Sequence, residues 1–166
     1  MDRLYSPWRL AYVTGASTPQ PGCIFCQAAD HALQSDLVVA RGRAAFVILN
    51  LYPYNSGHLM VVPNRHVASI SALDPEEGAE VMALSALAER AITEVYAPHG
   101  LNVGINLGKA AGAGVADHLH VHVVPRWSGD TNFMSVVGDV RVLPEEVPVS
   151  ASRLRPVFER LMRDRT

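Results

Sequence analysis

The chain has 166 residues, of which 49% are hydrophobic and 18% are charged, as is typical of folded globular proteins. Its net charge of −2 argues against broad nucleic-acid binding, and no apolar run approaches the roughly 20 residues of a membrane span. The opening residues lack the apolar core of a signal peptide. We therefore expect one cytoplasmic domain, residues 1–166, with neither nucleic-acid nor membrane partners.

In chain order, the predicted elements begin with an irregular arm at residues 1–22, which are rich in Pro, Gly, Ser and Thr. Short runs of apolar and β-branched residues then predict five strands. They lie at 36–40, 44–50, 58–63, 101–107 and 118–124. Because these runs are short and separated by turn signals, we expect them to form one antiparallel sheet.

Two helices are predicted beside the strands. The longer one has Asp74 as N-cap, Pro75 at the first helical position and Glu77 three residues after the cap, and Pro98 and Gly100 end it. Its apolar stripe consists of Val81, Leu84, Ala88, Ala91, Ile92 and Val95. A C-terminal helix is predicted near 152–164, where the apolar residues are Leu154, Val157, Phe158, Leu161 and Met162. The fold class is therefore α+β.

The two cysteines form a C-x-x-C pair, CIFC at 23–26. In a reducing compartment such a pair more often binds metal or reacts than forms a structural disulfide. A thioredoxin-like pair would follow a strand and open a helix, whereas this one follows an irregular stretch. Zinc would need two further ligands, for which His66 and His118 are candidates. Spacing alone does not decide between these interpretations.

A glycine-rich segment, NLGKAAGAG at 106–114, connects the last two predicted strands. It is not a P-loop, because the glycines are misplaced and no Ser or Thr follows Lys109, the sole lysine of the chain. It is interpreted either as a flexible hairpin or as a turn whose backbone N–H groups face an anion.

The sequence DHLHVHVVPRW, residues 117–127, places His118, His120 and His122 at the two-residue period of a strand. Three interpretations are open: a metal centre on all three imidazoles, phosphoryl chemistry with one nucleophile and phosphate ligands, or a solvated strand face. The adjacent glycine-rich turn favours phosphoryl or nucleotidyl transfer, because it would bring an anion next to the imidazoles.

HLHVHVV also matches the His-φ-His-φ-His-φ-φ pattern, where φ is apolar, of the histidine-triad (HIT) family. NLYPYNSGHLMVVPNRH, residues 50–66, resembles the family's upstream block, and the resemblance covers residues 23–134. It implies a HIT-like fold with a five-stranded antiparallel sheet, one long helix and a C-terminal helix, preceded by the arm and followed by residues 135–166. The segments YSPWRLAY and PRWSGDTNF resemble the branch that contains diadenosine tetraphosphate phosphorylases.

The resemblance implies a role for each matching residue. His120 is the nucleophile that attacks the α-phosphorus of a nucleotide, and His122 and His58 contact the phosphate. Nucleotide-binding positions are Asn50 at the ribose, Ile48 and Met60 at the base, and Asn106 at the phosphate. In the glycine-rich turn, Gly112 and Gly114 are candidates for binding phosphate through backbone N–H groups, and Lys109 either contacts the distal phosphates or is a solvated loop lysine. A structural zinc ion is implied at Cys23, Cys26, His66 and His118, the same four residues that ligand chemistry suggests.

One departure from the family pattern concerns the acceptor. Many members carry Gly-Gln four residues before the triad, where this chain has Ala113-Gly114 in a loop that is one residue longer. Loss of that glutamine favours phosphorolysis of a dinucleoside polyphosphate over plain hydrolysis. The alternatives are a hydrolase of nucleotides or nucleoside phosphoramidates, a non-catalytic nucleotide sensor, and a three-histidine metalloenzyme. The resemblance also implies a homodimer, with the 76–97 helix at or near the interface.

Overall fold

The computed structural model describes residues 22–30, 36–130 and 143–164. The arm before Gly22, with its YSPWRLAY motif, and the end of the PRWSGDTNF motif lie outside the described residues. Helices are α1 (Ile24–Ala29), α2 (Pro75–Tyr96) and α3 (Val147–Arg163). Strands are β1 (Val38–Arg41), β2 (Ala45–Leu49), β3 (Leu59–Pro63), β4 (Gly100–Ile105) and β5 (Val121–Arg126).

The five strands form one antiparallel sheet in the order β1-β2-β3-β5-β4, as predicted. Strand β5 lies between β3 and β4, where His122 pairs with Met60 on one side and Gly104 on the other. Because paired residues in an antiparallel sheet point to the same face, these three positions share one surface.

The two faces of the sheet bury different apolar clusters. On one face, Val121 and Val123 pack in a core with α2 and α3, which contribute Leu84 and Phe158 among others. On the other face, Phe25 of α1 packs on Phe46, Ile48, Met60 and Val62. The alternation of His and Val in the sequence thus places the valines in the helix-covered core and leaves His122 on the α1 side.

Helix α2 begins as the sequence predicts. The Asp74 carboxylate accepts the Glu77 N–H, the Glu77 carboxylate accepts the Asp74 N–H, and Pro75 follows the cap. The predicted stripe is buried or packed against the core, with Leu87 as a further buried residue. The C-terminal end of α2 differs from the prediction. Ala97, with a φ of 43°, is the left-handed cap, and Gly100, which was expected to help end the helix, is the first residue of β4.

Two further elements begin at other residues than predicted, and one element was not predicted. Strand β5 begins at Val121, because the N–H of Leu119 donates to the carbonyl of Val67 in the turn after β3 and not to a strand. Helix α3 begins at Val147, five residues before the predicted start, with a proline in its first turn. Helix α1 was not predicted at all. Among the described residues, no helix is long and apolar enough to cross a membrane.

Candidate functional site

His118 stands just before β5 with a fixed imidazole orientation. The side chain is 1% exposed, and Nε2 lies 2.9 Å from the carbonyl oxygen of Pro63 at the end of β3. Since a carbonyl oxygen can only accept, Nε2 carries the proton and Nδ1 keeps its lone pair. That lone pair points toward Cys23 and Cys26, whose sulfurs lie 3.3 and 3.7 Å from Nδ1.

The four predicted metal ligands come together at this point. The ligand atoms of Cys23, Cys26, His66 and His118 all lie within 4.8 Å of one another, and Cys26 Sγ is 3.2 Å from His66 Nδ1. Ligand bonds of zinc imply separations of about 3.3–3.8 Å between ligand atoms in a tetrahedral site. The sulfur–nitrogen distances here are close to that range.

The chemistry of this donor set also fits zinc. Burial, followed by the neighbouring Cys23, raises the pKa of the Cys26 thiol, so a bound cation would be needed to stabilise the thiolate. Burial lowers the pKa of His118, which favours the neutral imidazole that a metal requires. The carbonyl of Pro63 supplies the outer hydrogen bond that usually orients a ligating histidine.

His120 has the opposite tautomer. Its Nδ1 lies 2.8 Å from the carbonyl oxygen of His118, so Nδ1 carries the proton and the lone pair is on Nε2. The ring is 5% exposed and packs between Phe25 and His122, with ring centroids 5.0 and 4.8 Å away. The backbone that presents His118 to the cysteines therefore also orients His120.

The side chains of His58 and His122 form a direct hydrogen bond. The N–H of Tyr54 donates to His58 Nδ1 at 3.1 Å, so His58 Nε2 carries the proton and donates to His122 Nδ1 at 2.9 Å. His122 is thereby left with its proton on Nε2. Gly57 turns the chain into His58 with a φ of +79°, and a Cβ there would lie 2.6 Å from the Tyr96 ring, so only glycine fits.

Both members of this pair are held neutral at physiological pH. Burial, with smaller effects of His122 and His120, lowers the pKa of His58 to about 3. Burial and then His120 lower the pKa of His122 to about 4. The site therefore offers a lone pair on His120 and an N–H on His122, with no positive charge on either His58 or His122.

The predicted base and ribose positions lie on the β2–β3 side of His122. Ile48 and Met60 are cross-strand partners, and both are nearly buried in the cluster around Phe25. Asn50 is half-buried just after β2, where its Oδ1 accepts the Tyr52 N–H and its Nδ2 lies 3.4 Å from His58 Nδ1. These three residues thus flank the His58–His122 pair.

The predicted phosphate loop connects β4 and β5 and contains a short 3₁₀ turn, Lys109–Ala111. Asn106 lines a cleft together with His122. Gly112 adopts a left-handed conformation (φ 88°), and a Cβ there would lie 4.0 Å from Asn106 Nδ2. Lys109 and Gly114 are exposed. The structure therefore brings Asn106 to His122 but does not bring Lys109 into this cleft.

The cleft has a volume of about 390 Å³ and includes residues that the sequence reasoning did not single out. Tyr54 forms one wall, with its ring centroid 5.8 Å from that of His122. Arg126 lies at another point of the lining and donates to both carboxylate oxygens of Asp130 and to Asn102 Oδ1. The Arg126–Asp130 spacing, four residues, was the only sequence signal for this pair.

Comparisons with known proteins agree on one family. The HIT domain family model matches residues 32–129. AP-4-A phosphorylase of Mycobacterium tuberculosis is 46% identical over 152 residues, 87% of this chain and 78% of that protein. Bis(5'-adenosyl)-triphosphatase of Dictyostelium discoideum is 30% identical over 121 residues, 69% of this chain and 80% of that protein. A Zn-bound histidine triad family protein from Mycobacterium smegmatis superposes with a TM-score of 0.69 and 30% identity, covering 86% of this chain and 97% of that one.

Proposed function

The chain belongs to the HIT domain family, and on this premise we propose that it is a nucleotidyltransferase that phosphorolyses dinucleoside polyphosphates such as diadenosine tetraphosphate. The observation that carries the proposal is the pair of tautomers at the centre of the site. His120 presents a lone pair on Nε2, and the adjacent His122 presents an N–H. The name of the mycobacterial relative, AP-4-A phosphorylase, points to the same substrate class.

The reaction proceeds by double displacement. His120 Nε2 attacks the α-phosphorus, the bond to the bridging oxygen breaks, and ATP leaves from diadenosine tetraphosphate. Inorganic phosphate then attacks the nucleotidyl-histidine, which releases ADP and restores the neutral imidazole. The hydrogen bond from Nδ1 to the His118 carbonyl stabilises the positive charge that develops on His120 during attack.

Other residues bind the phosphate and the nucleoside. The N–H of His122, oriented by His58, donates to the oxygens of the transferring phosphoryl group, and Asn106 and the N–H of Gly114 supply further donors. The N–H of Gly112 donates to the Lys109 carbonyl, so Gly112 contributes the left-handed turn of the loop. Asn50 binds the ribose, and Ile48 and Met60 contact the base.

Cys23, Cys26, His66 and His118 are the residues that would hold a structural zinc ion. An ion held by these four residues would tie α1 to the turn after β3 and to the start of the histidine row. Among the described residues this is the only group of His, Cys, Asp and Glu side chains close enough to hold a metal, which disfavours a three-histidine centre. Metal analysis of the purified protein tests this part of the proposal, since a metal ion held by His120 would contradict it.

The substrate assignment is tested by incubating the protein with diadenosine tetraphosphate, with and without inorganic phosphate, and separating the products. Phosphate-dependent formation of ADP plus ATP is expected. AMP plus ATP would instead identify the hydrolase alternative, since water would be the acceptor. Absence of any product while nucleotide still binds would identify a sensor.

We also infer that the protein is a homodimer paired near α2 and β4. Strand β4 is an edge of the sheet, and Asn102, Val103 and Gly104 are exposed on it. The opposite edge differs, because Arg155 of α3 donates to the carbonyls of Asp36 and Val38 and covers the start of β1. An uncovered edge invites pairing with another strand. Light scattering is expected to give the mass of a dimer, and a monomer mass at all concentrations would contradict the inference.

A further inference from the structure

The cleft and the predicted nucleoside residues lie on opposite sides of His122. In the sheet, His122 is flanked by Met60 on β3 and by Gly104 on β4. The base and ribose positions extend from the β3 side, toward β2. The cleft extends over β4 and β5, and its lining includes Tyr54, Asn102, Gly104, Asn106, His122 and Arg126. A phosphorus atom beside His122 therefore has the retained nucleoside on one side and this cleft on the other.

Arg126 is placed to meet phosphates at a distance from the reacting centre. It shares the outer face of β5 with His122, four residues and roughly 13 Å further along the strand. Its Nε and Nη2 donate to Asp130 at 2.6 and 2.8 Å, and its Nη1 donates to Asn102 at 2.7 Å. These contacts engage three of the five guanidinium N–H groups, which leaves donors for a ligand.

Asp130 orients the Arg126 guanidinium and also accepts hydrogen bonds from two other groups. It also accepts from the Asn55 side chain at 2.9 Å and from the Trp127 N–H at 3.1 Å. The carboxylate charge is thus shared among several N–H groups, and Arg126 is oriented before any ligand arrives. Such pre-orientation suits the recognition of phosphate by arginine.

The floor of the cleft beside His122 is kept open by the absence of a side chain, because the cross-strand partner of His122 on β4 is Gly104. Gly104 lies on this face, and a Cβ built on it would meet nothing within 4 Å. Its backbone requires no left-handed conformation, so a strand-forming residue would be tolerated there. The half-exposed Tyr54 ring and the carboxamides of Asn102 and Asn106 complete a lining suited to a nucleotide.

We propose that this cleft binds the leaving group, a nucleoside polyphosphate, and that Arg126 contacts its distal phosphates and so selects substrates with long leaving groups. The proposal rests on the proposed function, because it requires nucleotidyl transfer at His120. It adds a subsite that the catalytic step itself does not need. Edge-to-edge pairing of β4 with another strand would use the strand backbone and leave this face of the sheet accessible.

The test compares two leaving groups in the same protein. Diadenosine tetraphosphate releases ATP, whereas ADP forms the same nucleotidyl-histidine with release of inorganic phosphate, which is too short to reach Arg126. Exchange of labelled phosphate into ADP therefore reports the chemistry without the distal subsite. In Arg126→Gln, the ratio of kcat/KM for diadenosine tetraphosphate to the rate of exchange should fall at least about 10-fold, mainly through KM.

Equal losses in both reactions would mean that Arg126 only supports the fold, and no loss in either would mean that it contacts no substrate; both results would overturn the proposal. A wild-type protein that turns over neither substrate would overturn the proposed function itself. Because Arg126→Gln also loses the pair with Asp130, a second variant is needed. Gly104→Val should narrow the cleft and lower kcat/KM for the tetraphosphate.

Gly78→Ala is the control, since Gly78 lies on α2 and is not among the residues that line the cleft. A Cβ at Gly78 would likewise meet nothing within 4 Å. This variant should retain wild-type kcat/KM for the tetraphosphate. If Gly104→Val retained it as well, the cleft would not be the leaving-group subsite.

Discussion

The two ends of the histidine row use the same side chain for opposite purposes. At one end, His118 bonds a carbonyl through Nε2 and directs Nδ1 to two sulfurs. Two residues later, His120 bonds a carbonyl through Nδ1 and leaves Nε2 free. At the other end, His122 accepts from His58 and presents an N–H. The difference lies in the hydrogen-bond partner, not in the residue type.

This difference shows how a repeated residue acquires distinct roles. The carbonyl partners come from different places: Pro63 lies 55 residues away in the sequence, and the His118 carbonyl lies two residues away. The metal end of the row therefore depends on long-range contacts, whereas the orientation of His120 is set locally, by the peptide unit of His118 itself. We expect the metal cluster around His118 and the group formed by His120, His122 and His58 to respond differently to mutation and to pH.

The largest effect is expected for His120→Ala, which removes the proposed nucleophile. The value of kcat should fall by at least about 10³-fold with little change in KM, because the bond to phosphorus forms only on the way to the transition state. Steady-state kinetics measure the loss, and acid-labile label on the wild-type protein after a quench reports the intermediate. His99→Ala, at an exposed histidine outside the site, is the control. A near-normal kcat, or label on His122, would contradict the assignment.

At the metal end, Cys26→Ser should act on stability rather than on chemistry. Cys26 lies next to both histidines of the cluster, so its loss should weaken zinc binding and lower the free energy of unfolding by about 3 kcal/mol. For a chain of this size that corresponds to a fall in Tm of about 10 °C. Metal content and thermal unfolding provide the measurements. If the variant retained stoichiometric zinc and its Tm, the cluster would not be a structural site.

The His58–His122 pair predicts a smaller, pH-dependent effect. The pKa of His58 is about 3 in the folded protein and about 6.5 when unfolded, so below pH 6.5 the unfolded state binds more protons. The stabilisation is fully present above pH 6.5 and is lost progressively as the pH falls toward 3. For His58 alone, the loss between pH 7.5 and pH 5 is about 2 kcal/mol.

Denaturant unfolding of wild type and of His58→Gln at these two pH values measures this contribution. Glutamine keeps an N–H donor for His122 but does not titrate, so its free energy of unfolding should fall less on acidification. Acid-induced loss of metal is common to both proteins and cancels in the comparison. An identical pH dependence in the two proteins would show that His58 is not held neutral by burial.

Much of the fold was predictable because local patterns determine it. The capping box at Asp74 and Glu77 and the alternating faces of Val121, His122 and Val123 depend on residues within a few positions of one another, and the structure has both as predicted. The predicted strand begins late, because His118 and His120 precede β5. The five-stranded antiparallel sheet is likewise confirmed. The limits of the single domain, the cytoplasmic location and the homodimer stay predictions.

What the sequence did not indicate depends on contacts between distant segments. Helix α1 is too short to show a period, and the start of α3 lacks a side-chain cap. The role of Tyr54 as a wall and of Arg126 as a cleft residue follows from how β4, β5 and the loop before β3 meet. The metal cluster was anticipated through ligand chemistry and family resemblance, although the residues that form it are up to 95 positions apart.

The shortness of α1 has a consequence for the dynamics of the protein. A six-residue helix is not stable by itself, and α1 is held to the sheet by Phe25 and Ala28, by the Arg41 guanidinium on its last carbonyls, and by its two sulfurs. Such a segment opens by local unfolding well before the sheet does. The amide hydrogens of α1 should therefore exchange with solvent faster when metal has been removed than when it is bound. The amide hydrogens of β3 and β5 should exchange slowly both with and without metal.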